Sequence, residues 1–176
     1  MALDAPQPAV LSLCLDDVEA LSAAVRAWDL DFRPLAPVRR GCGRHTVTQA
    51  RSGGIEVAHA RFTATLDQAG APPQGCVTFV VQEAGMRRLW WRGHDADADE
   101  ILVFGLGSEL RSVSGPDFEI YTVSVPAERV LKIAERRRIR SRMRLGTSAV
   151  FRPPAATLAA LRLALRAATA GPEELS

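Results

Sequence analysis

The character of the fold is clearest in residues 44–63, which read RHTVTQARSGGIEVAHARFT. Both ends of this stretch are rich in residue types that favour strands, and Arg51-Ser52-Gly53-Gly54 between them is a turn sequence. The pattern predicts two antiparallel strands, residues 44–50 and 55–63, joined as a hairpin. The middle of the chain is therefore predicted to be β-structure rather than helix.

Further strands are predicted on the C-terminal side of this hairpin, after a Gly/Pro-rich loop at residues 69–75. Turn sequences recur between them at intervals of about ten residues. Residues 93–95 join the second of these strands to the third, and residues 114–117 join the last two as a pair. The predicted strands are Val77–Gln82, Arg88–Arg92, Ile101–Phe104, Glu109–Val113 and Phe118–Val125. Many short strands with regular turns indicate a mainly β, antiparallel sandwich or barrel.

A short amphipathic helix is predicted near the N-terminus, after an arm formed by residues 1–15. Asp16 or Asp17 caps its first turn, because a short carboxylate accepts hydrogen bonds from the free amides there. We expect its apolar face to dock on the β-structure and the helix to end near Asp29. Apolar side chains recur along it at spacings of three and four, at Val18, Leu21, Val25 and Trp28.

Two helices are predicted after the sheet. Pro126 suits the first turn of the first one, which runs to about Arg140. The second is alanine-rich and occupies residues 154–170. All elements are expected in one domain, with residues 1–125 forming the β-part with its arm and helix, and residues 126–176 forming the C-terminal helices.

Length and composition place the chain among ordinary globular proteins. Its 176 residues suit one domain, and 47% hydrophobic with 24% charged residues provide for a core. The three cysteines, at positions 14, 42 and 76, form no Cys-x-x-Cys pair, which favours reduced thiols and a cytoplasmic location. No basic start leads into an apolar run, and no stretch of about 18 apolar residues occurs, so neither a signal peptide nor a membrane partner is predicted.

No pattern of metal ligands or catalytic groups emerges from the sequence. The three histidines are His45, His59 and His94, and none stands two to four residues from another. The acidic residues that follow the last of them resemble the start of a calcium loop. However, Glu100 and Leu106 occupy the places where such a loop needs glycine and glutamate. Gly-x-Ser-x-Gly and phosphate-loop motifs are missing as well, so we expect no metal, no cofactor and no enzyme activity.

A basic segment lies between Lys132 and Arg144, where seven Lys and Arg residues accompany a single acid, Glu135. The formal charge of the whole chain is only +2, so this clustering matters more than the total. Two interpretations remain open. The segment contacts phosphates or an acidic partner, or it is a solvated helix face whose basic end suits the helix dipole. We favour the second, because one basic helix does not read DNA bases.

A ligand pocket is predicted from the alternation of side chains along the strands. His59 and Arg61 share a face with Val57, so they point the same way. If that face is the inner one, both polar side chains enter an apolar cavity, whose aromatic walls are Phe79 and Trp91. Because a buried arginine needs an anion, an anionic or aromatic small molecule is the expected ligand. The alternative is that the two aromatic residues belong to the ordinary core.

Two runs of sequence carry a resemblance to a known family. One passes from Trp28-Asp29-Leu30-Asp31-Phe32 through Gly43-Arg44-His45 to Gly54-Ile55-Glu56-Val57, and the other occupies residues 90–126. Together with the ending of strand, helix, Arg152-Pro153-Pro154 and leucine-bearing helix, they resemble the sensor domain of AraC-type transcription regulators. In that family a tryptophan or similar residue opens a strand, and a Gly-rich pair of strands follows. The resemblance covers about residues 10–170.

The resemblance implies a cupin-like β-sandwich or barrel with a short N-terminal helix and two C-terminal helices. It implies a domain that senses a small-molecule effector and dimerises, while DNA is bound only through a helix-turn-helix domain not present in this chain. Enzymatic cupins hold metal with a His-x-His pair, which this sequence lacks. The alternative from another class is a metal-free cupin isomerase or lyase for a small anionic substrate, with His59 and Arg61 as acid–base and anion-binding groups.

A homodimer is predicted through the last helix. Leu158, Leu161 and Leu165 stand on one side of it, with alanines that permit close approach. A helix of about 17 residues is marginal alone, so this stripe must pack against something. Two partners remain open: the sheet of the same chain, or the same stripe of a second copy across a two-fold axis.

Overall fold

The architecture is that of a computed structural model, which describes residues 9–15, 18–25, 28–35, 45–85, 89–138 and 145–170. The first half of the chain contains β1 (Ala9–Leu15), α1 (Val18–Ala24), β2 (Asp29–Pro34), β3 (His45–Ser52), β4 (Ile55–Phe62), β5 (Leu66–Ala71) and β6 (Cys76–Gln82). The second half contains β7 (Leu89–Trp91), β8 (His94–Ala96), β9 (Ile101–Phe104), β10 (Leu110–Ser114), β11 (Phe118–Pro126), α2 (Ala127–Arg136), β12 (Ala149–Phe151) and α3 (Ala155–Thr169).

The described strands form two antiparallel sheets. The larger sheet has the order β1-β3-β4-β11-β6-β9-β12, and the smaller has the order β2-β5-β10-β7-β8. The prediction of a mainly β, antiparallel sandwich with a short N-terminal helix and two C-terminal helices is confirmed. The predicted hairpin is β3–β4, where Ser52 pairs with Ile55. Gly53 and Gly54 between them take φ values of 55° and 79°, which glycine adopts without strain.

The loop predicted at residues 69–75 is partly a strand. β5 extends to Ala71 and lies between β2 and β10 in the smaller sheet. Gly70 permits this arrangement, because its φ is 147° and a Cβ at this position would lie 1.8 Å from the carbonyl oxygen of Asp29 on β2. Glycine in this segment therefore serves the close approach of two strands. The loop prediction is wrong for residues 69–71, and it holds for residues 72–75, which connect β5 to β6.

The predicted pairing of residues 109–113 with residues 118–125 is also wrong. β10 pairs with β5 and β7 in the smaller sheet, whereas β11 pairs with β4 and β6 in the larger one. Residues 115–117 therefore carry the chain from one sheet to the other. A turn sequence indicates that the chain reverses direction, but long-range pairing decides which strands become neighbours.

Helix α1 docks on the core between the sheets, as its apolar face predicts. The helix ends at Ala24, before the predicted end near Asp29. Leu21 and Val25, which directly follows the helix, are buried in this core, and Trp28 packs edge-on against Phe104 with the ring centroids 5.8 Å apart. The predicted cap at residues 16 and 17 and the side chain of Val18 lie outside the described residues. The N-terminal arm contributes β1, which pairs with β3 at the edge of the larger sheet.

The outer face of the larger sheet is covered by helices. Leu158 and Leu165 of α3 are buried against three side chains of this sheet, Val81, Ile101 and Tyr121. Helix α2 packs on the larger sheet through Val130, which is buried with Val77 and Val125. In the part of the chain that the structure describes, no helix has the length and apolar character needed to cross a membrane.

Helix α2 ends at Arg136, before the predicted end near Arg140. Its exposed face carries Lys132, which forms an i,i+4 pair with Glu128 at 3.7 Å. This part of the basic segment is a solvated helix face. The arginines at positions 140, 142 and 144 lie outside the described residues.

Candidate functional site

An apolar cavity of about 60 Å³ lies between the two sheets. Its walls come from both sheets and from the chain beside α1, and the described residues of its lining include no charged side chain. The aromatic members of the lining are Trp28, Phe32, Phe62, Trp91, Phe104 and Phe118. An engineered apolar cavity of about 150 Å³ holds benzene. The present cavity therefore takes only a few heavy atoms unless its walls move.

Few polar side chains line the cavity, and one residue of the lining, Trp91, carries an unpaired polar atom. Gln68, Ser112 and Thr122 contribute polar groups to the lining, and Gln68 Nε2 donates a hydrogen bond to Ser114 Oγ at 2.8 Å. The buried indole N–H of Trp91 has no acceptor among the described residues. An unpaired buried donor costs about 1–3 kcal/mol. An acceptor oxygen on a bound molecule would remove this cost.

Of the four predicted ligand-binding residues, only Trp91 lines this cavity. His59 and Arg61 do share a face of β4 with Val57, but that face points outward, towards α3. Phe79 lies on the same outer face of the sheet. The prediction that the four residues converge in one pocket is wrong, because alternation along a strand does not say which face becomes the core. The inward positions of β4 are occupied by Ala58, Ala60 and Phe62.

His59 instead belongs to a polar cluster on the outer face. Its Nε2 lies 2.8 Å from Glu119 Oε1, and its ring stacks on that of Tyr121 with the centroids 4.6 Å apart. The Tyr121 hydroxyl donates to Glu83 Oε2 at 3.2 Å. Burial, with the Glu83 carboxylate beside it, raises the pKa of Tyr121 to about 12. Arg61 is about half exposed, and its Nη2 lies 4.0 Å from Oδ1 of Asp117 in the turn before β11.

Two arginines fasten α3 to the sheet. Arg166 Nε donates to Glu83 Oε2 at 3.0 Å, and its Nη2 donates to Glu83 Oε1. Arg162 donates to two backbone carbonyl oxygens beneath the helix. Burial by itself would raise the pKa of Glu83, but hydrogen bonds from Arg166 and from the Ala84 N–H outweigh it, so the pKa lies below its usual value. The helix is therefore held by an ionised carboxylate as well as by its leucines.

The predicted leucine stripe of α3 faces the sheet of its own chain. Leu158 and Leu165 are 3% and 5% exposed, and Leu161 is partly buried beside them. Their assignment to a dimer interface is wrong, because they form the packing without which this helix has no partner. The opposite side of α3 is also apolar. It exposes 67% of Leu163, together with Ala156, Ala159, Ala160, Ala164 and Ala167.

Within the described residues, no three His, Cys, Asp or Glu side chains are grouped to hold a metal ion. His94 lies 2.9 Å from Glu100. Arg152 forms ion pairs with the β8–β9 connection, at 3.1 Å from both Asp97 and Asp99. Cys76 is a half-buried free thiol, and the other two cysteine side chains lie outside the described part of the chain.

Solved structures with a related shape include the crystal structure of the AraC-like transcriptional activator CuxR, with a TM-score of 0.63 and 14% identity. The match covers 89% of this chain and 59% of that one, so the chain spans less than two thirds of the activator. A cupin 2 conserved barrel domain protein from Salinispora arenicola CNS-205 matches with a TM-score of 0.31 and 15% identity, over 61% of this chain and 85% of that one. No protein-family model and no curated protein matches the sequence. The resemblance to AraC-type regulators is confirmed at the level of the fold.

Proposed function

We propose that this chain is the ligand-sensing and dimerisation domain of an AraC-type transcription regulator, acting in the cytoplasm and without catalysis. The observation that carries the proposal is the apolar cavity between the sheets, with α3 docked on the reverse side of the same strands. The fold of an AraC-like activator supports it. DNA contact is then assigned to a helix-turn-helix domain outside these 176 residues.

The effector is a small, uncharged molecule with a hydrogen-bond acceptor. An ion in this cavity would lose its hydration without meeting an opposite charge on the described lining. An acceptor oxygen would pair with the free indole N–H of Trp91. The anionic effector suggested by Arg61 is not retained, because that side chain lies on the other face of the sheet.

Three strands connect the cavity to α3. Each places one side chain on the cavity wall and the adjacent one among those that pack under the helix. If the strands have two positions that hold α3 differently, a ligand that binds one of them more tightly favours that position. The equilibrium between the two positions of the helix then shifts by the difference in binding free energy. The adjacent pairs are Val80 and Val81 on β6, Leu102 and Ile101 on β9, and Ile120 and Tyr121 on β11.

The exposed face of α3 is the proposed dimer contact. Leu163 projects from a surface of alanines, whose small side chains allow a second helix to approach closely across a two-fold axis. Arg162 and Arg166 do not stand between the two helices, because both are bonded to their own chain. A metal-free isomerase or lyase is not favoured, since His59 is paired with Glu119 outside the cavity.

Sedimentation analysis tests the dimer. We expect the wild-type chain to be dimeric at micromolar concentrations and Leu163→Glu to be a monomer with an unchanged circular dichroism spectrum. Leu131→Glu is the matched control, because Leu131 is an exposed leucine of α2, at 44% exposure. A monomeric wild type, or a dimeric Leu163→Glu protein, would contradict the proposed contact.

Nuclear magnetic resonance tests the cavity. The neutral ketone 2-butanone should shift the indole N–H resonance of Trp91, because its carbonyl oxygen accepts the unpaired proton. Butyrate, a carboxylate of similar size, should leave that resonance in place. Equal shifts with both molecules, or none with either, would exclude an effector site for neutral molecules between the sheets.

A further inference from the structure

A polar cleft of about 540 Å³ opens away from the apolar cavity. It lies between the β7–β8 turn, the β9–β10 connection and the residues before β12. Its volume falls within the range of about 300–1,000 Å³ that is usual for small-molecule sites. Its polar side chains are Arg92, His94, Ser108, Glu109, Thr147 and Ser148.

The walls of the cleft are locked together by their backbones. Leu106 N–H donates to the carbonyl oxygen of Leu145 at 2.5 Å. Gly105 packs so closely against the other wall that a Cβ on it would lie 2.7 Å from the amide nitrogen of Thr147. Such a cleft is formed before any ligand arrives, which removes the cost of ordering it on binding.

Arg92 holds an unfavourable backbone conformation at the edge of this cleft. Trp91 pairs with His94, so Arg92 and Gly93 form a two-residue turn with φ values of 48° and 86°. Positive φ at both positions is typical of the type I′ turn, in which Asn-Gly is favoured. An arginine in the left-handed region is strained, and strain of this kind concentrates at functional sites.

The charge of Arg92 is available to a ligand. Its Nη1 lies 3.3 Å from Ser148 Oγ, a neutral group, and no carboxylate of the described residues is within ion-pair distance of it. His94 is already engaged with Glu100. Glu109 lines the cleft as well, and its negative charge reduces the positive potential that Arg92 creates there.

We infer that this cleft binds a small phosphate monoester, with the Arg92 guanidinium and the Ser148 hydroxyl holding the phosphate oxygens. A guanidinium donates two parallel hydrogen bonds to such a group, and a serine that accepts from the arginine still has its own proton to donate. Glu109 and His94 face the remaining polar space, which suits the hydroxyl groups of a sugar or polyol carrying the phosphate. This site is separate from the apolar cavity, and only Trp91 belongs to both linings.

Calorimetric titration at low ionic strength with glucose 6-phosphate, inorganic phosphate and glucose tests the inference. We expect both phosphates to bind at millimolar concentrations, glucose 6-phosphate more tightly than phosphate, and glucose not to bind. Arg92→Asn should weaken the binding of both phosphates by about tenfold or more, since charge-assisted hydrogen bonds are lost. Glu109→Gln should strengthen it, because a like charge is removed.

A loss of binding by Arg92→Asn cannot be attributed to misfolding, because asparagine suits this turn better than arginine. Arg92→Asn should raise the melting temperature by about 2 °C while it loses the ligand. Arg33→Ala is the matched control, since Arg33 is an exposed arginine paired with Asp31 on β2 and should leave binding unchanged. Absence of phosphate binding, equal binding of glucose, or an Arg92→Asn protein of unchanged affinity would overturn the inference.

Discussion

Replacing Glu83 by glutamine removes the charge that fastens α3 to the sheet and keeps the size of the side chain. Its Oε1 accepts from the Ala84 N–H at 2.7 Å and from Arg166, and its Oε2 accepts from the Tyr121 hydroxyl at 3.2 Å and from Arg166. An amide nitrogen in place of either oxygen leaves two donors without an acceptor. The exposed Arg166 can donate to water instead, so the cost comes from the second donor, which is the Ala84 N–H or the Tyr121 hydroxyl. The free energy of unfolding should therefore fall by about 1–2 kcal/mol.

The effect of Glu83→Gln depends on pH, with a sign that follows from the lowered pKa of Glu83. A carboxyl group whose pKa is lower in the folded state contributes stability above its usual pKa and loses it as the pH falls through the lowered value. The glutamine variant has no such contribution to lose. Urea denaturation from neutral pH down to about pH 3 should therefore show the two stabilities converging.

Glu128→Gln is the matched control for this experiment. Glu128 pairs with Lys132 on the exposed face of α2, where solvent screens the interaction, so its loss should hardly change the stability. A Glu83→Gln protein as stable as the wild type would refute the role of Glu83 in docking α3. So would a difference in stability that does not shrink on acidification.

Four further substitutions test the packing and one group of exposed ion pairs. Gly70→Ala should prevent folding or lower the melting temperature by many degrees, since its Cβ would lie 1.8 Å from Asp29 O. Gly75→Ala, with no atom within 4 Å, should cost only about 1–2 kcal/mol for its positive φ, and thermal melts compare the two. Ala60→Val adds two methyl groups to the cavity wall, so urea denaturation should show equal or about 1 kcal/mol higher stability, and the shift of the Trp91 resonance by 2-butanone should disappear. Arg152→Ala should change the free energy of unfolding by less than about 1 kcal/mol. Its partners Asp97 and Asp99 are more than half exposed, and its less exposed partner Glu100 keeps its hydrogen bonds with His94 and the Asp97 N–H; a larger loss in urea denaturation would show that the ion pairs of Arg152 are screened less than this implies.

The elements that could be predicted are those specified by local sequence. Gly53-Gly54 between two runs of strand-forming residues predicts the β3–β4 hairpin, and positive φ at both glycines is the local reason. The apolar spacing of Leu21, Val25 and Trp28 likewise predicts how α1 docks. Partner choice is not local. Gly115 and its neighbours predict that the chain turns, but β10 and β11 find different partners far away in the sequence.

The candidate site was predicted only in part, because both faces of the larger sheet are covered. A strand with one wet face alternates cleanly, whereas a strand buried on both sides does not show which residues face the core. His59 and Ala60 are neighbours on β4, and the small alanine is the one on the cavity wall. The signal that could have found this is the leucine stripe of α3, which requires a sheet face on which to pack. A cavity itself leaves no sequence pattern, since it is a defect in packing between distant residues.

Strand β11 is inserted between β4 and β6, although residues 118–126 are synthesised after both. Until those residues leave the ribosome, β4 and β6 each keep at least one unpaired edge beside exposed apolar side chains. At about 5–20 residues per second, this interval lasts roughly 2 to 9 seconds after β6 is made. Sheet closure by distant residues also slows folding itself. Chains cut short before Phe118 should therefore aggregate most readily, and chaperones that cover open strand edges should matter most during this interval of synthesis.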